Sequence, residues 1–131
     1  MRKIVKYLVN SIYIIAILIL ASILVTTLLT GTPSVFGFRP MFVVSESMEP
    51  VIKKHQFILA VVVDAEDIKV GDIVGIKVKY ENALFSKLVV HRIIGSNEDG
   101  TLILKGDANT SSLEYEKAVN KEQILYKIIK Y

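Results

Sequence analysis

An uninterrupted apolar run near the N-terminus constrains this chain more than any other feature of its sequence. From Leu8 to Leu29, LVNSIYIIAILILASILVTTLL contains no charged residue. As an α-helix the run would be about 33 Å long, enough to cross a hydrocarbon core of about 30 Å. It is apolar on every side, which argues against a helix that packs one face on a soluble core. We therefore predict a transmembrane helix over residues 8–30.

A cleaved secretory signal is the alternative interpretation of this run. Its apolar region would be shorter, about 7 to 15 residues, and a small-residue cleavage site would follow it. The segment that follows here, TGTPSVFG, has no clear Ala-x-Ala pattern and has the Gly and Pro content of a linker. An uncleaved membrane anchor is the better interpretation.

The basic residues indicate how the span is oriented. Arg2, Lys3 and Lys6 precede it, whereas Arg39 is the only basic residue within a dozen positions after it. The positive-inside rule then predicts a cytoplasmic tip at residues 1–7 and an extracytoplasmic domain at residues 31–131. The protein is expected to be a single-pass membrane protein of a plasma membrane or an endoplasmic reticulum.

The remaining charge and the cysteine count exclude two classes of protein. Beyond the span, basic and acidic residues are equal in number, so the pI of about 9.1 comes from the cytoplasmic tip. This balance argues against a nucleic-acid partner. The chain has no cysteine, so the external domain must be held by its apolar core rather than by disulfides.

The external domain has the pattern of a small β protein. Short segments rich in Val, Ile, Leu and Tyr, separated by turn residues such as Gly71-Asp72 and Asn97 to Gly100, indicate strands. The predicted strands cover residues 56–64, 72–80, 87–94, 101–105 and 124–131. We therefore expect a mainly β fold, a small twisted or partly closed β domain on one N-terminal transmembrane helix. The apolar cluster around Arg39 and Pro40 fits the bilayer interface or the core equally well.

Three residues could together perform nucleophilic catalysis. A serine nucleophile needs a base within hydrogen-bond reach, and the base needs an acceptor that fixes its tautomer. Ser47 lies where a further apolar strand, which has the pattern of a buried one, gives way to SMEP. His91 lies within a predicted strand, and Asp107 comes just after another. Taken singly, each has a simpler explanation: a serine that shapes a turn, a structural histidine and an Asx-type turn. Their joint occurrence beyond a membrane anchor favours a catalytic set.

These residues lie in motifs that resemble those of type I signal peptidases. SESMEP, HRIIG and KGDAN follow an N-terminal span in this order, and VGDIV at residues 70–74 also fits. The set is similar to the endoplasmic-reticulum-type branch, which also occurs in archaea and some Gram-positive bacteria. The resemblance implies that Ser47 is the nucleophile, His91 the general base in place of the lysine of the main bacterial branch, and Asp107 its orienting acid. It also implies that Ser45 helps the Ser47 N–H hold the oxyanion.

The match to this branch lacks one expected acidic residue, and two other residues are alternative candidates for the general base. Relatives usually carry a second acid six positions after the first, where this chain has Leu113. Glu114 follows directly and is a candidate second acid, unless that acid is dispensable. His55 lies beside two lysines without an obvious orienting acid, and Lys87 is expected at the solvent-exposed start of a strand, so His91 is the preferred base.

The sequence therefore predicts a membrane-bound serine endopeptidase that removes signal peptides from exported preproteins. By resemblance, its substrates carry small residues one and three positions before the cut and bind as an added β-strand. Signal peptides and membrane lipid are the expected partners. Further subunits of a complex remain open, and no metal or organic cofactor is implied. The alternative is a non-enzymatic membrane-anchored β module that acts as an assembly or complex subunit.

Overall fold

The computed structural model of the protein describes residues 2–30, 33–78 and 87–131. Its chain forms two compact units, Met1–Arg39 and Pro40–Tyr131. The last two positions of the strand predicted at 72–80 lie outside the described residues.

The first unit is dominated by one long helix, α1, which runs from Arg2 to Thr30. In length and composition it could cross a membrane. Polar side chains near its C-terminal end bind the chain that follows: the Ser22 hydroxyl accepts from the Phe36 N–H at 2.6 Å, and the Thr26 hydroxyl accepts from the Ser34 N–H at 3.1 Å. The segment after the helix therefore folds back along its last two turns.

The second unit is built on an open β-sheet. Within the described residues the strands are β1 (Phe38–Phe42), β2 (Phe57–Val62), β3 (Ile73–Val78), β4 (Lys87–Ser96), β5 (Leu102–Lys105) and β6 (Ile124–Lys130). They lie in the order β1-β2-β6-β3-β4-β5, and the neighbours from β2 to β5 pair antiparallel. The mainly β fold predicted from the sequence is confirmed, as an open sheet rather than a closed one.

β1 is the apolar strand that the sequence indicates before SMEP, but its residues are exposed or half-buried rather than buried. β1 comes from the apolar cluster around Arg39 and Pro40, which fitted the core and the bilayer interface equally well. It lies at the edge of the sheet. Pro40 has no N–H to donate, and an edge strand tolerates this because one of its sides needs no partner.

The central strands carry apolar residues on both faces of the sheet. Successive side chains of a strand point to opposite faces, and in β4 Val89 and Ile93 pack in one apolar cluster while Leu88 and Val90 pack against another. The first cluster also contains Val74, Ile76, Leu104, Val119 and Ile124, and the second contains Met48, Ile52, Ala60, Tyr126 and Ile128. β4 thus contributes to both clusters. The alternation of its side chains also determines the face of the sheet on which each of its polar residues lies.

Ile93→Ala tests whether the first cluster stabilises the sheet. Ile93 is fully buried, whereas its neighbour Ile94 is 47% exposed. Removing a buried isoleucine costs roughly 2–5 kcal/mol of unfolding free energy, because it forfeits transfer energy and leaves a cavity. We expect a loss of this size for Ile93→Ala, measured by urea unfolding of the full chain in detergent micelles. Ile94→Ala is the matched control, and an equal loss in both variants would contradict the assignment of the core.

Candidate active site

Ser47 lies in a turn that is held by buried apolar side chains. The turn follows β1 and residues 43–45, which form no regular secondary structure. Met48 and Ile52, both buried, fix it to the second apolar cluster, and the Ile52 N–H donates to the Met48 carbonyl at 2.9 Å. Ser47 itself is half-buried. An apolar residue directly after the serine therefore fixes the backbone that carries the hydroxyl.

His91 lies in the middle of β4 and is buried. It pairs with Val74 of β3, and its side chain is 4% exposed. Because of the alternation along β4, His91 lies on the same face as Val89 and Ile93. Its Nε2 is 2.9 Å from the Ser47 Oγ, a normal hydrogen-bond distance. The structure thus brings together a hydroxyl and an imidazole that are 44 residues apart in the chain.

The other ring nitrogen of His91 contacts a carboxylate. Its Nδ1 is hydrogen-bonded to the Oε1 of Glu116, which lies in a one-turn 3₁₀ helix, Glu114–Glu116. The Glu116 side chain is fully buried, and its Oε2 accepts from the Leu113 N–H at 2.7 Å. An ionised carboxylate only accepts hydrogen bonds, so it favours the imidazole tautomer with its proton on Nδ1. In that tautomer Nε2 is free to accept a proton from Ser47.

Asp107 makes a different contact from the one predicted for it. Its two carboxylate oxygens accept from the Arg92 Nε and a terminal nitrogen at 2.8 and 2.7 Å, and Arg92 also donates to the Gly71 carbonyl at 3.0 Å. The hydrogen bond with Asp107 is the main cause that raises the pKa of Arg92, so the guanidinium stays charged. The ion pair is mostly shielded from water, with 27% of the Arg92 and 16% of the Asp107 side chain exposed.

The loop that carries Asp107 also contacts Ser47. The Ala108 N–H donates to the Ser47 carbonyl at 2.9 Å. A Cβ on Gly106 would lie 2.5 Å from that carbonyl oxygen and 3.0 Å from the His91 Nε2. Only glycine therefore permits this approach of the loop to Ser47 and His91.

The remaining candidates from the sequence are Ser45, Glu114, His55 and Lys87. The Ser45 hydroxyl is 3.2 Å from that of Ser47. Glu114 is largely exposed and pairs with Lys117 at 2.5 Å. His55 is exposed and stacks on Phe42 with 5.8 Å between the ring centroids. Lys87 is exposed at the first position of β4, as expected for a residue at the start of a strand.

Sequence reasoning missed Glu116 as a partner of His91. The signal available was weak: Glu116 is one of two glutamates in LEYEK, and neither follows a strand directly. A second clue was that His91 and Arg92 are adjacent within a predicted strand. Their side chains therefore face opposite sides of the sheet, and Asp107 could pair with Arg92 instead of His91. Over residues 2–30, 33–78 and 87–131, no cluster of three or more His, Cys, Asp or Glu side chains could hold a metal ion.

A hydroxyl bonded to a buried imidazole, which is bonded in turn to a carboxylate, is the arrangement by which serine hydrolases activate their nucleophile. The sequence model of the signal peptidase family, peptidase S26, matches residues 12–122. The chain therefore belongs to this family of serine peptidases. No curated protein gives a significant match to the sequence. The family acts on the signal peptides of preproteins, so this general activity follows from membership.

Gly106→Ala tests the close approach of the loop to Ser47. The added methyl group collides with the Ser47 carbonyl and must push the loop or the serine turn aside. A misplacement of about 1 Å can cost on the order of 10²-fold in rate. We expect a loss of this order in the cleavage of a preprotein by the purified full chain in detergent micelles.

Gly95→Ala is the matched control for this substitution. A Cβ there meets nothing closer than Ile103 at 3.9 Å, an ordinary contact. It should therefore retain most of the activity. Equal activity of both variants would show that the loop is not tightly packed on Ser47.

Proposed function

We propose that this protein is a membrane-bound serine endopeptidase that removes signal peptides from exported preproteins, with Ser47 as nucleophile and His91 as general base. The observation that carries the proposal is the 2.9 Å hydrogen bond between the Ser47 Oγ and the His91 Nε2. Membership of the signal peptidase family supplies the substrate class. A histidine in contact with the nucleophile also supports assignment to the endoplasmic-reticulum-type branch, since the motifs of the main bacterial branch have a lysine at this position.

The first half of the reaction acylates the enzyme. As the Ser47 Oγ attacks the scissile carbonyl carbon, the neutral His91 accepts the hydroxyl proton on Nε2. A tetrahedral oxyanion forms. The carbon–nitrogen bond then breaks, and His91 gives its proton to the departing amine of the mature protein. The signal peptide remains esterified to Ser47 through its C-terminal carbonyl.

The second half releases the signal peptide. A water molecule attacks the ester carbonyl while His91 again accepts a proton. The ester bond breaks, the proton returns to the Ser47 Oγ, and the signal peptide leaves with a free carboxylate. The neutral His91 tautomer with its proton on Nδ1 is restored, so one turnover consumes one water and leaves the enzyme unchanged.

Ser45 is proposed to stabilise the oxyanion together with the Ser47 backbone N–H. Its hydroxyl is 3.2 Å from the nucleophile's Oγ, close enough to reach an oxygen that develops on the carbon under attack. One such donor is commonly worth about 10² to 10³ in rate.

The membrane anchor is proposed to bring enzyme and substrate together. Residues 8–30 would span the bilayer, with residues 1–7 in the cytoplasm and the catalytic domain, residues 31–131, on the outer side. Seventeen residues separate Leu29 from Ser47, which keeps the nucleophile within reach of the membrane surface where a signal helix ends. Confinement of both proteins to one membrane raises their effective concentration.

Ser47→Ala and His91→Ala test the proposed chemistry. Each should abolish preprotein cleavage by the purified full chain, because loss of either nucleophile or base disables the coupled unit. For the same reason the double variant should be no slower than the single ones. The measurement is a cleavage assay with a signal-peptide-bearing preprotein in detergent micelles, combined with labelling by a serine-directed covalent probe.

His55→Ala is the control for the histidine substitution. His55 stacks on Phe42, and none of its described contacts involves Ser47, so this variant should cleave at close to the wild-type rate. Wild-type cleavage by Ser47→Ala would reject the peptidase and leave the anchored, non-enzymatic β module as the explanation. So would a folded wild-type protein that cleaves no preprotein and reacts with no probe.

Single cysteines test the proposed orientation, since the chain has no cysteine of its own. Glu98→Cys lies in the exposed turn between β4 and β5. Lys3→Cys lies in the N-terminal tip that is proposed to be cytoplasmic. In sealed right-side-out vesicles a membrane-impermeant maleimide should label Glu98→Cys and spare Lys3→Cys. Both should be labelled after permeabilisation, and the opposite pattern in sealed vesicles would reverse the topology.

A further inference from the structure

Glu116 is a buried carboxylate to which neither the motifs of the sequence nor the family match assigns a task. Burial of a carboxylate is costly unless its oxygens are bonded. Both oxygens of Glu116 have partners: Oε1 contacts the His91 Nδ1, and Oε2 accepts from the Leu113 N–H at 2.7 Å. One oxygen is therefore held by the main chain of its own turn, and the other is directed at the imidazole.

We propose that Glu116 is the positioning residue for His91. Asp107 instead fixes the loop that contacts Ser47. The inference rests on the proposed function, in which His91 is the general base. Glu116 fixes the ring in the tautomer with a proton on Nδ1 and stabilises the positive charge that the ring acquires when it takes the Ser47 proton. In this chain the orienting acid thus lies nine positions after Asp107, in the sequence LEYEK.

The geometry of β4 explains why Asp107 does not perform this task. His91 and Arg92 are adjacent in a strand, so their side chains leave it on opposite faces. Asp107 binds Arg92 with both oxygens, while the His91 ring has Ser47 on one nitrogen and Glu116 on the other. Both hydrogen-bonding positions of the imidazole are therefore occupied without Asp107.

Asp107 has a separate effect through the loop in which it lies. Its ion pair with Arg92, which also binds the Gly71 carbonyl, ties residues 106–108 to the sheet. The same loop donates the Ala108 N–H to the Ser47 carbonyl. Loss of Asp107 should therefore displace the nucleophile and leave the contact between His91 and Glu116 intact.

The experiment is proton and nitrogen NMR of the full chain in detergent micelles, with its two histidines labelled with ¹⁵N. A proton held between Nδ1 and a carboxylate resonates far downfield of an ordinary ring N–H, and His55→Ala assigns the remaining signal to His91. We expect this resonance in the wild type and in Asp107→Asn, and its loss in Glu116→Gln. The matched control is Glu114→Gln, two residues away, exposed and paired with Lys117, which should leave it unchanged.

Kinetics of the same variants give an independent readout. Glu116→Gln should lower kcat on the order of 10⁴-fold, as loss of an orienting acid does in serine proteases, with little change in KM. Glu116→Asp restores the carboxylate on a shorter side chain, and it should recover part of the activity and of the downfield signal. Such a rescue separates a positioning role from a merely structural one.

Two results would overturn the inference. The first is a downfield signal that survives Glu116→Gln and disappears in Asp107→Asn. The second result needs no variant. It is the observation, in the wild type, of nuclear Overhauser contacts from the His91 Nδ1 proton to the side chain of Asp107 rather than to that of Glu116. This measurement decides the matter even if Glu116→Gln fails to fold. A protein that shows the Glu116-dependent signal but cleaves no preprotein supports the pairing and contradicts only the proposed peptidase activity.

Discussion

The alternation of side chains along β4 is the constraint on which the candidate site depends. His91 and Arg92 are neighbours in the chain, but the strand sends them to opposite faces of the sheet. His91 lies on the face of the first apolar cluster and contacts Ser47 and Glu116, while Arg92 binds Asp107. One strand therefore holds both halves of the site, and a register shift of one residue would exchange them.

Rigidity of this arrangement comes from the packing around β4. The strand lies between β3 and β5, and buried residues of the first cluster flank His91 on its own face. On the other side, Met48 and Ile52 anchor the turn that carries Ser47. Apolar burial thus fixes the backbone on both sides of the hydrogen bond between Ser47 and His91, so the two polar atoms need little reorganisation to meet. Such preorganisation is what a nucleophile and its base require.

The two acidic residues near the site show how position decides the task of a carboxylate. Glu116 is fully buried and contacts the His91 ring, where a carboxylate is suited to stabilise the imidazolium that the proposed reaction creates. Asp107 is partly exposed and meets a permanently charged guanidinium in a bidentate pair, an interaction that fixes geometry rather than responding to proton transfer. The glycine that precedes Asp107 allows this second contact to form close to Ser47.

The sequence by itself determined the long apolar helix, the presence of the strands and the candidate pair Ser47 and His91. These follow from local patterns: an uncharged run, short segments of β-branched residues between turn signals, and a chain with only two histidines. Tertiary structure decided the rest. β1 lies at the edge of the sheet, where Pro40 is tolerated, and the hydrophobic pattern does not encode this strand order. The partner of the His91 Nδ1 is Glu116 because a 3₁₀ turn, 25 residues away in the chain, packs against the sheet and directs that carboxylate inward. Hydrogen bonds between distant segments depend on where the chain brings them in space, and sequence order carries no record of that distance.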